Sequence, residues 1–324
     1  MGEFELIEKL KKTLPDPSKR VLVGIGDDTL VARTPKERLL WTVDCLVENI
    51  HFDFNYYTPQ EIGWKALAVN LSDIAAMGGT SLYALVSLAI PKRVSKKRVV
   101  EIYEGIRACA QWARVDVVGG NVSRSLEDFF IDITVVGEAN KPLLRSGAGV
   151  GEVVAITGFP GLSAAGFLAL QKWGKKARKR YPLSTYQHVH PQPRLEWAKK
   201  LKGLGVTSLI DISDGLSSEL HHVTGGSKVG FEIEERLLPV ADEVKQIAQA
   251  TNQNPLDLAC HGGEQYELLM TFPLSRFSKI SSSAEKDGVP LTRIGHTVSL
   301  SQGVKIRTLK GKLRPLKSKG WTHF

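Results

Sequence analysis

The stretch TPQEIGWKALAVNLSDIAAMGG, residues 58–79, decides how the first half of the chain folds. Thr58 and Glu61 have the spacing of a capping box, and Pro59 suits the first helical position. The residues that follow are mostly apolar as far as Met77, and two glycines come next. We therefore predict a helix that begins near Thr58 and ends near Met77, where the double glycine stops it.

Asp73 lies within the apolar part of this predicted helix. The residues one turn before and after it are Val69, Asn70, Ala76 and Met77, so no Lys or Arg is near enough to pair with it. An isolated ionised carboxylate is costly to bury. Asp73 is therefore the aspartate for which a purely structural role is hardest to argue.

Other aspartates stand where predicted strands end. Asp27 and Asp28 follow a strand and a Gly-x-Gly in VGIGDDTL, Asp44 ends LLWTVD, and Asp211 and Asp214 lie in LIDISDGL. Several carboxylates that converge need cations, and oxygen ligands without a Cys or His set favour Mg²⁺ over zinc. Aspartate at a strand end before a helix is also an ordinary N-cap, and both interpretations stay open at this point.

Helices and strands are predicted along the rest of the chain without strict alternation. Helices are predicted at about residues 3–14, 95–114, 163–173, 193–204, 216–223, 241–250 and 275–286. Strands are predicted at about 21–25, 39–43, 82–90, 115–118, 129–136, 153–157, 208–212, 230–233, 267–271 and 292–296. This mixture favours two α+β domains, and the turn-rich segment KPLLRSGAGVGE divides them into residues 1–140 and 141–324.

Composition narrows the class of protein. The chain has 324 residues, of which 42% are hydrophobic and 24% charged, which is typical of a soluble globular protein. It has no apolar run of about 18 residues, and its N-terminus lacks a signal-peptide cleavage site, so no membrane partner is expected. Cys45, Cys109 and Cys260 form no CxxC pair, which predicts neither a zinc site nor disulfides and suits the cytoplasm.

The formal net charge is +9, and part of it lies in KKARKR, residues 175–180, and in the C-terminal tail. We interpret these as a solvated loop and a solvated tail. A basic nucleic-acid-binding protein is an alternative, but the sequence has no RNA-binding signature and we expect no nucleic-acid partner.

Glycine-rich segments suggest contacts with anions. VVGGNVS, residues 117–123, is predicted as a strand that runs into a double-glycine turn, whose N–H groups can face an anion. The chain has no GxxxxGK[ST] P-loop and no GxGxxG before a helix. Arg145 either clamps a phosphate or lies on the surface. No GxSxG turn marks a nucleophile, so we predict no Ser-His-Asp or Cys-His set.

A series of segments, in one order along nearly the whole chain, carries a family resemblance. The segments are GEFELI (2–7), GIGDD (24–28), Asp44 with His51 and Phe52, GWKALAVNLSDIAAMGG (63–79), VVGGNVSRS (117–125), RSGA (145–148), TGFPGLSAAG (157–166), HPQPR (190–194), DISDGLSSEL (211–220), GGEQYEL (262–268) and GWTHF (320–324). Together they resemble the thiamine-monophosphate kinase family, in the superfamily typified by aminoimidazole ribonucleotide synthetase and selenophosphate synthetase. The longest segment and the GWTHF tail separate this family from its relatives.

The resemblance implies Mg²⁺-assisted, in-line transfer of the γ-phosphoryl group of ATP to thiamine monophosphate, which gives thiamine diphosphate. It implies an aminoimidazole-ribonucleotide-synthetase-like fold, with an N-terminal α/β domain that binds ATP and several Mg²⁺ ions and pairs in a homodimer, and a C-terminal α+β domain. By position, the residues that resemble Mg²⁺ ligands are Asp28, Thr42, Val43 through its carbonyl, Asp44, Asp73, Asp211 and Asp214. The residues that resemble nucleotide contacts are Tyr103, Gly120, Asn121, Arg145 and Ser213. Those that resemble thiamine-phosphate contacts are His51, Glu264 and Trp321.

Consecutive residues on an extended chain point to opposite sides, so Asp27 and Asp28 do not serve one metal equally. The resemblance gives the metal to Asp28 and leaves Asp27 to brace the turn. No general base is expected, because the acceptor phosphate has a second pKa of about 6 and is largely an anion at pH 7. The chain departs from the family at Asn121 and Gln265, where Asp is more common, and we expect this to bear on metal number and rate more than on reaction type.

A second hypothesis is another ATP-dependent enzyme of the same superfamily, similar to selenophosphate synthetase. That branch requires a reactive N-terminal Cys or selenocysteine with a nearby Lys. The first Cys of this chain is Cys45, which argues against it.

Overall fold

The structure is a computed structural model that describes residues 12–15, 19, 21–23, 31–32 and 38–321. The chain divides into two compact units: unit 1 is Met1–Ile74 with Gly79–Asn140, and unit 2 is Ala75–Gly78 with Lys141–Phe324. Each unit contains helices and a sheet, so the predicted α+β class is confirmed. The functions predicted for the two domains stay predictions.

Some predictions for the N-terminal segment fall outside the described residues. Asp27, Asp28 and most of the helix predicted at 3–14 are among them. Residues 12–14 form a turn and not the last turn of a helix. The strand predicted at 21–25 is described only as β1 (Val21–Val23), which pairs antiparallel with β2 (Val31–Ala32).

The described part of unit 1 contains a four-stranded sheet and two helices of 18 residues. These elements are β3 (Arg38–Val47), α1 (Pro59–Ala76), β4 (Thr80–Pro91), α2 (Lys96–Ala113), β5 (Asp116–Ser125) and β6 (Phe130–Ala139). The order across the sheet is β3-β6-β4-β5. β4 and β5 are parallel, and the other neighbouring strands are antiparallel.

The capping box predicted at the start of α1 is present. Thr58 Oγ1 accepts a hydrogen bond from the Glu61 N–H over 3.2 Å, and Glu61 Oε2 accepts one from the Thr58 N–H over 2.8 Å. Further along, α1 crosses α2 at Gly63 and Gly105. A Cβ at either glycine would lie 1.9 Å from a carbonyl oxygen of the facing segment, Ile102 or Gln60, so the two backbones touch.

The prediction of a double-glycine turn after residue 118 is wrong. β5 continues through both glycines as the parallel partner of β4, with a shift of register at Val118 that forms a bulge. A Cβ on Gly120 would lie 1.9 Å from the carbonyl oxygen of Val86. The glycine therefore serves the close approach of two strands, and no anion-binding turn forms there.

The described part of unit 2 contains a seven-stranded sheet. Its strands are β7 (Val153–Thr157), β8 (Ser208–Asp211), β9 (Val229–Glu234), β10 (Leu268–Phe272), β11 (Leu291–Ser299), β12 (Val304–Arg307) and β13 (Leu313–Pro315). Its helices are α3 (Leu162–Trp173), α4 (Ala177–Arg180), α5 (Pro182–Val189), α6 (Leu195–Leu204), α7 (Leu216–Ser227), α8 (Asp242–Thr251), α9 (Pro255–His261) and α10 (Phe277–Lys286). The sheet order is β13-β12-β9-β11-β7-β10-β8, with β9 and β12 parallel and the other pairs antiparallel.

Several short elements of unit 2 were not predicted. Residues 175–180, predicted as a solvated loop, form a 3₁₀ turn followed by α4. Helices α5 and α9 have only 8 and 7 residues, so they show too little of the 3.6-residue period to be recognised. Strands β12 and β13 are shorter still, with 4 and 3 residues.

Two predictions about the whole chain can be compared with the structure. All three cysteines are described, and each is a free thiol. No helix in the described part of the chain has both the length and the apolar character that a membrane crossing requires.

Candidate functional site

In unit 1, Asp73 on α1 is bonded to the edge strand β3. The Thr42 hydroxyl donates a hydrogen bond to Asp73 Oδ2. Two residues along β3, the backbone N–H of Asp44 donates to Asn70 Oδ1 over 2.9 Å. Thr42 and Asp44 alternate with Val43 and so share one face of the strand. Three predicted ligands, Thr42, Asp44 and Asp73, therefore gather where α1 meets β3.

The donors at this edge are two carboxylates and a hydroxyl, which fits Mg²⁺ better than zinc. Val43 points its side chain to the other face, where it is 58% exposed, so only its carbonyl oxygen could join the set. Among the described residues, no three His, Cys, Asp or Glu side chains are arranged to hold a metal ion by themselves. Asp28, a further predicted ligand, lies outside those residues.

His51 lies in the turn that follows β3. Its Nδ1 accepts a hydrogen bond from the Val47 N–H over 3.1 Å. Lys65 on α1 is fully buried and donates to the His51 carbonyl oxygen and to the Tyr57 hydroxyl, each over 3.0 Å. We did not predict a role for Lys65. A lysine in the apolar part of a helix is the signal that could have found it.

The three predicted nucleotide contacts of unit 1 lie on other elements. Tyr103 is buried in α2, and burial raises the pKa of its phenol. Gly120 and Asn121 are exposed on β5. Through the strand register, Gly120 shares a row across the sheet with Asp44, and Asn121 shares the next row, on the opposite face, with Cys45. The sheet therefore separates Asn121 from the face that carries Asp44.

In unit 2, three loops meet around Ser213 and Asp214. The Glu264 N–H donates to the Ser213 carbonyl oxygen over 2.5 Å, and the Trp321 N–H donates to the Asp214 carbonyl oxygen over 3.0 Å. Asp211, the last residue of β8, is buried just before this loop. The structure thus brings together five of the predicted site residues, which come from three distant parts of the sequence.

The loop that carries Glu264 has an uncommon backbone. Glu264 and Tyr266 have φ values of 57° and 52°, which residues other than glycine seldom adopt. Between them, the buried Gln265 accepts from the Ser163 N–H over 3.3 Å and donates to the Phe159 carbonyl oxygen over 2.9 Å. An ionised Asp could not donate the second bond. The departure at Gln265 therefore braces this loop.

Glu219 on α7 is a site residue that the sequence analysis missed. It is buried, and its Oε1 accepts from the Asp214 N–H over 3.0 Å. Burial, with the nearby charge of Asp214, raises the pKa of the Glu219 carboxyl to about 7, and Arg145 opposes that shift. The Arg145 carbonyl oxygen accepts hydrogen bonds from the Ser208 hydroxyl on β8 over 3.1 Å and from the Ser227 hydroxyl on α7 over 2.7 Å. An acid in the first turn of the helix that follows SDG is a capping signal that could have identified Glu219.

Two family models match the chain. The N-terminal domain of AIR synthase related protein matches residues 26–139, and the C-terminal domain matches residues 149–305. The thiamine-monophosphate kinase of Aquifex aeolicus (strain VF5) is 35% identical over 325 residues, which cover 100% of this chain and 98% of that protein. The thiamine-monophosphate kinase of Bacillus subtilis (strain 168) is 33% identical and covers 100% of both chains.

Solved structures agree with the family models. AaThiL complexed with AMPPCP and TMP is 34% identical with a TM-score of 0.80, over 100% of this chain and 97% of that one. Thiamine-monophosphate kinase from Stenotrophomonas maltophilia K279a is 28% identical with a TM-score of 0.83, over 94% and 96%. Hydrogenase maturation protein HypE in complex with ATP, 17% identical with a TM-score of 0.77, shares the fold alone. The predicted aminoimidazole-ribonucleotide-synthetase-like fold is confirmed.

Proposed function

This chain belongs to the thiamine-monophosphate kinase family, and we propose on that premise that it transfers the γ-phosphoryl group of ATP to thiamine monophosphate. The observation that carries the proposal is the gathering of Thr42, Asp44 and Asp73 at the edge where α1 meets β3. A full-length relative of known structure, complexed with AMPPCP and TMP, supports both substrates.

Transfer of the phosphoryl group requires that the two substrates be positioned and that their negative charge be neutralised, more than it requires an acid or a base. Thiamine monophosphate already carries its attacking oxygen as an anion at pH 7, since a phosphate has a second pKa of about 6. Bound Mg²⁺ supplies the charge that lets two anionic substrates approach and that stabilises the transferring group. The residues of unit 1 that would hold Mg²⁺ ions are Asp28, Thr42, the Val43 carbonyl, Asp44 and Asp73, and those of unit 2 are Asp211 and Asp214.

We assign the substrate contacts by the family resemblance. Nucleotide contacts are assigned to Tyr103, Gly120, Asn121, Arg145 and Ser213, and thiamine-phosphate contacts to His51, Glu264 and Trp321. The guanidinium fork of Arg145 matches phosphate oxygens. The indole of Trp321 is 54% exposed and can stack on the cationic ring of thiamine, and the carboxylate of Glu264 can accept a hydrogen bond from the amino group on its other ring.

The exposed face of the unit 1 sheet supports a homodimer. Leu39, Trp41 and Val43 on β3 and Leu85 on β4 are 44%, 66%, 58% and 37% exposed. An apolar patch of this kind on a sheet marks an interface. We propose that a second copy covers it, and that the protein works in the cytoplasm, where its three free cysteines stay reduced.

Light scattering tests the dimer. Trp41→Glu places a charge at the centre of the patch and should convert a dimer into a monomer. Leu126→Glu, at a residue that is 94% exposed and outside the strands, should leave the dimer intact. A monomeric wild-type protein, or a Trp41→Glu variant that remains dimeric, would contradict this assignment.

Product analysis tests the function. Purified protein with ATP, MgCl₂ and thiamine monophosphate should form thiamine diphosphate and ADP, and EDTA should stop the reaction. Free thiamine should be a poor acceptor, because its hydroxyl needs a base that the site is not expected to supply. A folded protein that forms no thiamine diphosphate would refute the proposal.

A further inference from the structure

A buried histidine stands behind the loop that carries Glu264. The side chain of His188, on α5, is 1% exposed, and its Nδ1 lies 3.4 Å from Glu264 Oε2. The same nitrogen lies 3.2 Å from Ser163 Oγ on α3, and the ring packs against Phe167 with centroids 5.3 Å apart. This imidazole is not among the metal ligands or substrate contacts proposed for the protein.

The fold leaves His188 little freedom to move. α3 and α5 touch at Gly166, where a Cβ would lie 2.0 Å from the Ser184 carbonyl oxygen and 3.1 Å from the His188 Cβ. The imidazole is therefore fixed against Ser163 by the contact of two helix backbones, and not only by its own hydrogen bond.

The donor between Nδ1 and the Ser163 hydroxyl depends on the tautomer of the imidazole, because either atom can carry the hydrogen. An ionised carboxylate only accepts hydrogen bonds, so an attractive contact with Glu264 Oε2 at 3.4 Å requires a proton on Nδ1. The Glu264 backbone is already held at a φ of 57°, and His188 restrains the end of its side chain. Backbone and imidazole together orient a carboxylate that is still 30% exposed.

We propose that His188 is a positioning residue for recognition of thiamine monophosphate, and that its Nδ1–H holds the Glu264 carboxylate toward the amino-bearing ring of the substrate. The proposal rests on the proposed function, in which Glu264 contacts the substrate. Because the nucleotide contacts are assigned to other residues, His188 affects the binding of thiamine monophosphate and leaves the binding of ATP unchanged.

Two variants of His188 separate positioning from packing. His188→Leu keeps an apolar side chain against Phe167 and removes the donor, whereas His188→Asn keeps an N–H near the place of Nδ1. We expect His188→Leu to raise the KM for thiamine monophosphate about tenfold with kcat and the KM for ATP unchanged, and His188→Asn to recover most of that loss. Equal behaviour of the two variants, or an equal rise in both KM values, would overturn the proposal.

Nuclear magnetic resonance tests the contact without relying on activity. In the full-length protein labelled with ¹⁵N-histidine, His188 should show a protonated Nδ1 whose signal moves in Glu264→Gln. An unprotonated Nδ1 in the wild-type protein would overturn the proposal whether or not the protein is a kinase. The expected signal in a protein that forms no thiamine diphosphate would instead support the contact and refute the proposed function.

Discussion

In unit 1 the candidate ligands stand on a strand and a helix and are bonded through side chains, whereas in unit 2 Asp211 ends a strand, and Ser213 and Asp214 stand on a loop that backbone hydrogen bonds tie to two others. Asp73 depends on the Thr42 hydroxyl, and the N–H of Asp44 depends on the side chain of Asn70. The carbonyl oxygens of Ser213 and Asp214, by contrast, accept hydrogen bonds from the backbone N–H groups of Glu264 and Trp321. The side chains that hold the ligands should therefore act directly on chemistry in unit 1, whereas the residues that brace the loops of unit 2, Glu219 and Gln265, should act mainly on stability.

The largest effect is expected at Asp73. Asp73→Asn keeps an oxygen that can accept from Thr42 but removes the negative charge, so kcat/KM should fall about 100-fold or more while the protein stays folded. Assays of thiamine diphosphate formation with circular dichroism measure both properties. Asp242→Asn, the same change at an exposed residue of α8, is the control and should be neutral. Near-normal turnover of Asp73→Asn would show that Asp73 is only structural.

Asp27 and Asp28 extend the comparison to residues outside the described part of the chain. Asp28→Asn should lower kcat/KM at least about tenfold more than Asp27→Asn, because the first removes a metal ligand and the second a brace of the turn. When activity is measured against Mg²⁺ concentration, Asp28→Asn should need more Mg²⁺ than Asp27→Asn to reach half-maximal activity, because it binds the metal more weakly. The reverse order of the two variants would overturn the assignment.

In unit 2, Glu219 should make stability depend on pH. Its folded pKa of about 7 lies above the ordinary value of 4.5, so the folded state holds the proton more tightly than the unfolded chain. Its contribution is fully present below pH 4.5 and is lost as pH rises through 7, a change of about 3 kcal/mol in the free energy of unfolding. Glu219→Gln lacks this titration.

The measurement is urea unfolding in EDTA between pH 4 and pH 8. The free energy of unfolding of Glu219→Gln, relative to the wild-type protein, should rise with pH across this window. A constant difference would show that burial does not raise the pKa of Glu219.

The smallest effect is expected in the loop that Gln265 braces. Gln265→Ala leaves the Ser163 N–H and the Phe159 carbonyl oxygen without their bonds, which should cost about 2 kcal/mol of stability. Gln187→Ala is the matched control, since Gln187 donates to the same loop from a half-buried position and should cost less. Equal unfolding midpoints for the two variants would show that Gln265 is not the principal brace.

The same contrast explains what the sequence could predict. The capping box of α1 and the position of Asp73 are local patterns, and the structure contains both elements as predicted. The conformation of Gly120 depends on a neighbouring strand, because the obstacle to a Cβ there is Val86, and the local pattern suggested a turn. A glycine pair alone does not distinguish a turn from a close strand contact.

Unit 2 was predictable in its longer elements and not in its site contacts. Glu219 lies close to Asp214 in sequence, yet its importance comes from burial, which a single sequence does not display. His188 and Gln265 reach Glu264 and Ser163 only after α3, α5 and the loop have packed together. Contacts of this kind follow from tertiary packing, and the spacing of residues along the chain does not predict them.

The crossing of α1 over α2 fixes the rotation of α1 about its own axis. Gly63 admits no side chain at the crossing, so α1 cannot rotate or slide there without a collision of backbones. Asp73 lies ten residues further on, about 15 Å along the axis. One residue inserted between them would turn Asp73 by about 100° and carry it away from Thr42. The number of residues between Gly63 and Asp73 therefore sets which way the carboxylate faces, independently of the contacts that the carboxylate itself makes.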